Sequence, residues 1–186
     1  MILASGSPRR AELLRRAGFE FEVMVPERPE PRYEDGDPSA YALGVAEYKA
    51  EEVAERAGPA IVVTADTIVV IDGEVLGKPG SRSDAERMLR LLSGRTHAVT
   101  TAVCVVDVAG ARSLSAADTT RLTLRELSVA ELAAYLDTPE PMDKAGAYAL
   151  QGAAAEWVTR IEGDRETVIG LPTAVVRRLL SRLGSG

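Results

Sequence analysis

Cysteine and histidine are nearly absent from this chain, with one of each in 186 residues. A lone Cys104 excludes a disulfide within the chain. Lying inside the apolar run Ala102 to Val106, it reads as a small core residue of a reducing compartment. With His97 as the single imidazole, metal ligation by His or Cys clusters is excluded, and a serine triad would have to rest on that one ring. His97 follows Thr96 at a strand start and no G-x-S-x-G occurs, so it reads as structural. Positive charge is in short supply as well: Lys and Arg together number 22 against 28 Asp and Glu, for a net charge of -6. That balance argues against a nucleic-acid polymer as partner, because a backbone-tracking protein needs a broad basic face. No apolar run is long enough to span a membrane, and the chain opens on a strand from Met1 without a signal peptide, so a soluble cytoplasmic protein is expected. Internal repeats and low-complexity tracts are missing too.

What is present narrows the chemistry. Without His or Cys clusters the carriers are carboxylates, lysines and arginines, the set used for phosphoryl chemistry with a hard divalent ion such as Mg²⁺. The chain is 46% hydrophobic, enough for one substantial core in one or two lobes but not for two independent domains. Only three of the basic residues are lysine, at positions 49, 78 and 144. Where arginine has replaced lysine almost everywhere, a retained lysine can mark a need for a compact ammonium, although three surface lysines also survive by chance. Lys78 and Lys144 lie in Gly-bearing loops, which suits phosphate binding.

The opening segment, Leu3-Ala4-Ser5-Gly6-Ser7-Pro8-Arg9-Arg10, is a short apolar strand, a turn of small residues and a helix start. Ser7 suits the N-cap and Pro8 the first helical position, which leaves the first-turn N–H groups pointing over Ser5 and Gly6. The helix dipole and the guanidiniums of Arg9 and Arg10 favour an anion there. Ser-Pro caps followed by charges also start helices that bind nothing. Helical spacing puts Arg10 on the buried face with Leu13, Leu14 and Ala17, and Arg9, Glu12 and Arg16 on the other. An inward arginine needs an anion, either a carboxylate of the protein or a phosphate from outside.

Farther on, Glu20 to Val25 reads as a strand and Pro26 to Asp37 as an exposed loop. Asp37-Pro38 opens a long helix to about Arg56. Ala60 to Ala65 suits a buried strand, continued by Thr67 to Ile71 into a hairpin at Asp72-Gly73. Ser83 and Glu86 predict one capping box, Ser128 and Glu131 another. Long β segments run from about His97 to Val108 and Arg112 to Leu124. Trp157 to Glu162 and Glu166 to Ile169 predict a final hairpin, and Pro172 starts a terminal helix. The class is mixed α/β, and the long antiparallel segments argue against a purely parallel doubly wound sheet. Asp66 is the most pointed carboxylate, because it interrupts the apolar sequence Ile61 to Val70. A buried carboxylate must be paired, coordinated or protonated. It is therefore either functional or one half of a buried ion pair, with Arg10 as the candidate partner.

Together with the opening segment, the blocks Ala65-Asp66-Thr67, Gly77-Lys78-Pro79, Leu92-Ser93-Gly94-Arg95-Thr96-His97 and Asp143-Lys144-Ala145-Gly146-Ala147-Tyr148-Ala149-Leu150-Gln151-Gly152 resemble the Maf family of nucleoside triphosphate pyrophosphatases. The resemblance covers nearly the whole chain. It implies cleavage of a nucleoside triphosphate between the α and β phosphates, giving the monophosphate and pyrophosphate, by a house-cleaning enzyme. It also implies one domain over residues 1–186, with two lobes, a mixed sheet flanked by helices and a central cleft, similar to the inosine triphosphate pyrophosphatases. Asp66 matches the proton acceptor that activates a water with Mg²⁺, or Mn²⁺, and Glu30 matches an acidic residue near the metal. Arg10, Lys49 and Lys78 match positions that hold the triphosphate, Ser5 one that contacts phosphate, and Arg9, Thr67 and Gln151 ones tied to nucleotide choice. Lys144 joins the substrate-binding candidates through its block. The segment Ala147 to Gln151 looks like the subgroup acting on dTTP and UTP, and a Gln offers the donor and acceptor that a pyrimidine edge needs. Ala153-Ala154-Ala155-Glu156-Trp157 and Arg165-Glu166-Thr167 depart from the family pattern, which bears on the nucleotide more than on the reaction. A homodimer is also implied. Two other functions stay open: a nucleotide-binding regulator of septum formation without turnover, and a purine enzyme of the inosine triphosphate type.

Overall fold

Residues Met1–Gly184 are described by a computed structural model. The chain opens with β1 (Ile2–Leu3) and α1 (Pro8–Arg16). Pro8 occupies the first turn, where a missing N–H costs nothing. Ser7 takes the cap position but its side chain makes no capping bond. Ser5 Oγ instead accepts the Ser7 N–H at 3.2 Å. The next strand, β2 (Glu22–Val23), is shorter than the expected Glu20 to Val25. α2 (Pro38–Arg56) is capped by the Asp37 carboxylate, which accepts from the Ala40 N–H at 2.8 Å.

β3 (Ile61–Ile71) turns at Asp72-Gly73 into β4 (Glu74–Leu76). Both turn residues have positive φ, 51° and 84°, the conformation that a tight two-residue hairpin requires. Then come α3 (Arg82–Leu92), β5 (Thr96–Asp107), β6 (Arg112–Leu124), α4 (Val129–Leu136), three 3₁₀ turns between 140 and 157, β7 (Val158–Glu162), α5 (Arg165–Ile169) and α6 (Thr173–Gly184). The seven strands form one mixed sheet in the order β2-β1-β3-β5-β6-β7, with β4 paired to β3. β1 runs parallel to β2 and β3, whereas β4 and β7 are antiparallel to β3 and β6.

Two expectations are corrected. α3 is capped by Ser81, which accepts from the Asp84 N–H, and Ser83 lies inside the helix. Residues 166–169 form α5 and no second hairpin limb, because the Asp164 carboxylate accepts the Glu166 N–H at 2.9 Å and starts a helical turn. The box of Ser128 and Glu131 is present on α4.

The chain divides into two compact units, one of Met1–Thr67, Thr101–Asp118 and the segment from Gly170, the other of Ile68–Thr100 and Thr119–Ile169. Of the single domain expected over residues 1–186, residues 185 and 186 lie outside the described residues. A core cluster of the first unit is formed by Ile2, Ala4, Val53 and Val62. The second packs Val69, Leu76, Leu89, Leu92, Leu122 and Trp157, among others. Burying each such aliphatic side chain stabilises the fold by roughly 1.5–3 kcal/mol before chain entropy is counted. Among the described residues no helix is long and apolar enough to cross a membrane.

Candidate active site

Within the first unit, β3 and α2 bring three titratable side chains to one point. Asp66 follows the buried run Val62 to Ala65 and is itself buried. Lys49 recurs on the face of α2 that buries Ala42, Val45, Ala46 and Val53. Its ammonium lies 2.7 Å from Asp66 Oδ1 and 3.0 Å from Glu30 Oε1, and Glu30 comes from the exposed loop before α2. A buried charge is tolerated only when it is paired, and here one cation faces two anions. Negative charge also reaches Tyr41, whose phenol is raised first by burial and then by Asp66 and Glu30.

Asp66 pairs with Lys49 and not with Arg10, which was the candidate partner if Asp66 were half of a buried ion pair. Arg10 does point inward, as its spacing requires, but its guanidinium donates to three neutral oxygens. Nε reaches the Gly170 carbonyl at 2.9 Å, Nη2 reaches Thr67 Oγ1 at 3.2 Å, and Nη1 reaches Ser5 Oγ at 3.4 Å. Burial lowers its pKa while Asp66 and Glu30 act in the opposite direction. Neutral acceptors fix the fork without neutralising it, which leaves its charge for an incoming anion. Arg9 is half-buried, and its positive charge works against that of Arg10.

Glu30 and Asp66, the two residues expected at a metal, are brought together by Lys49. Among the described residues, no group of three or more His, Cys, Asp or Glu could hold a metal ion. Two carboxylates fit a hard divalent cation such as Mg²⁺, which is bound through one or two carboxylates together with substrate phosphates.

The other loop candidates belong to the second unit. Lys78 is exposed, and the Gly146 N–H donates to the Gly77 carbonyl at 3.1 Å, so its loop is tied to the one that follows Lys144. Lys144 is engaged locally, by the Asp143 carboxylate and by the Glu140 carbonyl at 3.5 Å. Gln151 is exposed. Near it in sequence, Tyr148 Oη lies 2.6 Å from His97 Nε2, and burial pulls His97 down to about 4. The ring is therefore neutral and structural, as its strand position suggested. Burial likewise pushes the Cys104 thiol up to about 12, which makes it inert.

A family model described as Maf-like protein matches residues 1–183. The chain belongs to the Maf family. A protein of Koribacter versatilis named dTTP/UTP pyrophosphatase is 49% identical over 184 residues, covering 99% of this chain and 94% of its own length. Proteins bearing the same name in Symbiobacterium thermophilum and Thermococcus onnurineus are 47% and 46% identical, covering 99% and 100% of this chain and 94% and 98% of theirs. Among solved structures, the Staphylococcus aureus Ham1 protein shares the fold at a TM-score of 0.50 and 15% identity, covering 95% of this chain and 97% of that one.

Two members of the cluster escape a reading of the family's blocks. Thr101 Oγ1 lies 2.9 Å from Thr67 Oγ1 and so helps to fix an acceptor of Arg10. The signal for Thr101 is a pair of hydroxyl residues, Thr100 and Thr101, inside the otherwise apolar stretch from Ala98 to Val106. The Gly170 carbonyl carries no side-chain signal at all.

Proposed function

We propose that this Maf-family protein hydrolyses dTTP and UTP, and modified pyrimidine triphosphates, to the monophosphate and pyrophosphate. The observation that carries the reading is the convergence of Asp66, Glu30 and Lys49, in a chain whose full-length relatives are named dTTP/UTP pyrophosphatases.

Asp66 is the general base: it takes a proton from a water whose oxygen bonds to the α-phosphorus. The bond from that phosphorus to the oxygen bridging α and β then breaks, and pyrophosphate leaves. Lys49 holds Asp66 in place, and Arg10, pre-set by three neutral acceptors, meets charge that grows on the phosphate oxygens. Ser5 is a further phosphate contact, and Arg9 and Thr67 contact the rest of the nucleotide. Mg²⁺ held by Glu30 and Asp66 would supply charge neutralisation and polarise the attacking water. The protein works in the cytoplasm as a homodimer.

The test is a panel of triphosphates with product identification. Monophosphate and pyrophosphate from dTTP and UTP are expected. Orthophosphate release, or no turnover with any nucleotide, sinks the reading. Tight binding without turnover selects the regulator, and a purine preference selects the inosine triphosphate type.

A further inference from the structure

Glu30 belongs to a loop with Pro26, Pro29 and Pro31 and no regular secondary structure, yet its carboxylate reaches the ammonium of Lys49 at 3.0 Å. Two side chains of α2 grip that loop on either side of it. Glu52 is 3% exposed and turns its carboxylate toward the start of the loop. Its two oxygens accept the Glu27 N–H at 2.8 and 3.1 Å, and Oε2 also accepts the Arg28 N–H at 3.2 Å. Arg56, one turn farther along α2, donates to Oε1 at 3.0 Å and to the Val25 carbonyl at 2.9 Å. Past Glu30, the hydroxyl of Tyr41 donates to the Pro31 carbonyl at 2.9 Å. The Tyr41 ring is itself braced edge-on by Tyr33, with centroids 5.2 Å apart.

A buried carboxylate that spends both oxygens on backbone N–H groups has little capacity left for substrate or metal. Backbone hydrogen bonding, from Glu27 above all, holds Glu52 below the usual carboxylate range, so it stays an acceptor. Lys49 and Glu52 are three residues apart on one helix, so the element that carries the ammonium also carries the anchor of the acid that pairs with it.

We propose that Glu52 and Tyr41 are positioning residues for the pyrophosphatase reaction, fixing the loop on both sides of Glu30 so that its carboxylate is delivered to Lys49 and to the divalent cation. The proposal rests on the reading of Glu30 as a metal-holding residue. It differs from mere loop anchoring, which would move stability but not the metal requirement.

The full-length protein is compared with Glu52→Gln, Tyr41→Phe, Glu30→Gln and the Glu52→Gln/Glu30→Gln double variant. Three quantities are read: thermal unfolding, amide hydrogen exchange over residues 26–31, and pyrophosphate release as a function of Mg²⁺ concentration. In Glu52→Gln, exchange over 26–31 should accelerate and the Mg²⁺ concentration for half-maximal rate should rise roughly 10–100-fold, the range seen when a group supporting a metal ligand is lost. Tyr41→Phe should shift both in the same direction by less, and it carries the test if Glu52→Gln does not fold. The double variant should need no more Mg²⁺ than Glu30→Gln alone, because Glu52 acts through Glu30. An unchanged Mg²⁺ requirement in Glu52→Gln and Tyr41→Phe, with a raised one in Glu30→Gln, overturns the positioning role and leaves Glu30 in place. A normal requirement in Glu30→Gln overturns the reading of Glu30, and the proposal with it.

Discussion

At Lys49 one ammonium meets two carboxylates, and the two acids are not equivalent: Asp66 is buried on a strand, while Glu30 comes from an exposed loop. Asp66 therefore has the fixed position that a base needs. Replacing it by Asn keeps the shape and one acceptor but removes the carboxylate proposed to take the proton. Asp66→Asn should lower the rate of pyrophosphate release by about 10²–10⁴, the usual worth of a positioned general base. The binding of dTTP should persist, since Arg10 is oriented by Gly170, Thr67 and Ser5 and not by Asp66. Steady-state turnover with a parallel nucleotide-binding titration checks both, and unchanged turnover removes Asp66 from its role. Asp66 stood out in the sequence because a charge inside an apolar run must be compensated. Its partner did not, because pairing across 17 residues depends on how α2 packs on β3. Arg10 looked like that partner because it was the inward cation in the opening segment. Yet Lys49, on the helix face of Ala42, Val45, Ala46 and Val53, was equally inward by spacing.

Elements show the same division between local and distant causes. α2 begins at Asp37-Pro38 and α4 at its box of Ser128 and Glu131, where side chain and backbone a few residues apart satisfy one another. Such starts can be read from sequence because everything they need is local. For α3 the sequence pointed to Ser83 with Glu86, yet the helix starts earlier, on Ser81, whose hydroxyl accepts the Asp84 N–H at 3.1 Å. α5 was read as a strand because four residues cannot distinguish a period of two from one of 3.6, and the Asp164 cap settled it. The hydrogen bond that ties the Lys78 loop to the one after Lys144 is donated by Gly146, at φ 68°, where an added Cβ would lie 3.1 Å from Val69 Cγ2. Gly146→Ala should destabilise the protein by roughly 1–3 kcal/mol, from left-handed strain and overpacking together. Urea unfolding measures it. A variant as stable as the parent would mean that Val69 and the loop yield freely.

For the molecule as a whole, stability against pH isolates one residue. The chain has a single histidine, so between the carboxylate range and pH 6.5 His97 is the one side chain with an ordinary pKa in the window. Folding buries it beside Tyr148 and pulls it down to about 4, chiefly by desolvation. From pH 6.5 down to about 4 the unfolded chain binds a proton that the folded chain refuses, so stability falls as pH falls and is flat above 6.5. A shift of this size corresponds to about 3 kcal/mol at the bottom of the window. Glu131 has the acid-side counterpart: its bonds from Arg125, then Ser128, hold it at about 2, so the stability it lends is present above 4.5 and lost below. The two limbs therefore separate on the pH axis. Denaturant unfolding at intervals between pH 4.5 and 7 should show a slope that His97→Gln abolishes while leaving the limb below 4.5 intact, because a Gln amide can still meet Tyr148 Oη but does not titrate. If the slope survives in His97→Gln, the proton taken up on unfolding goes to some other group, and the neutral buried imidazole is not what sets the protein's stability in mild acid.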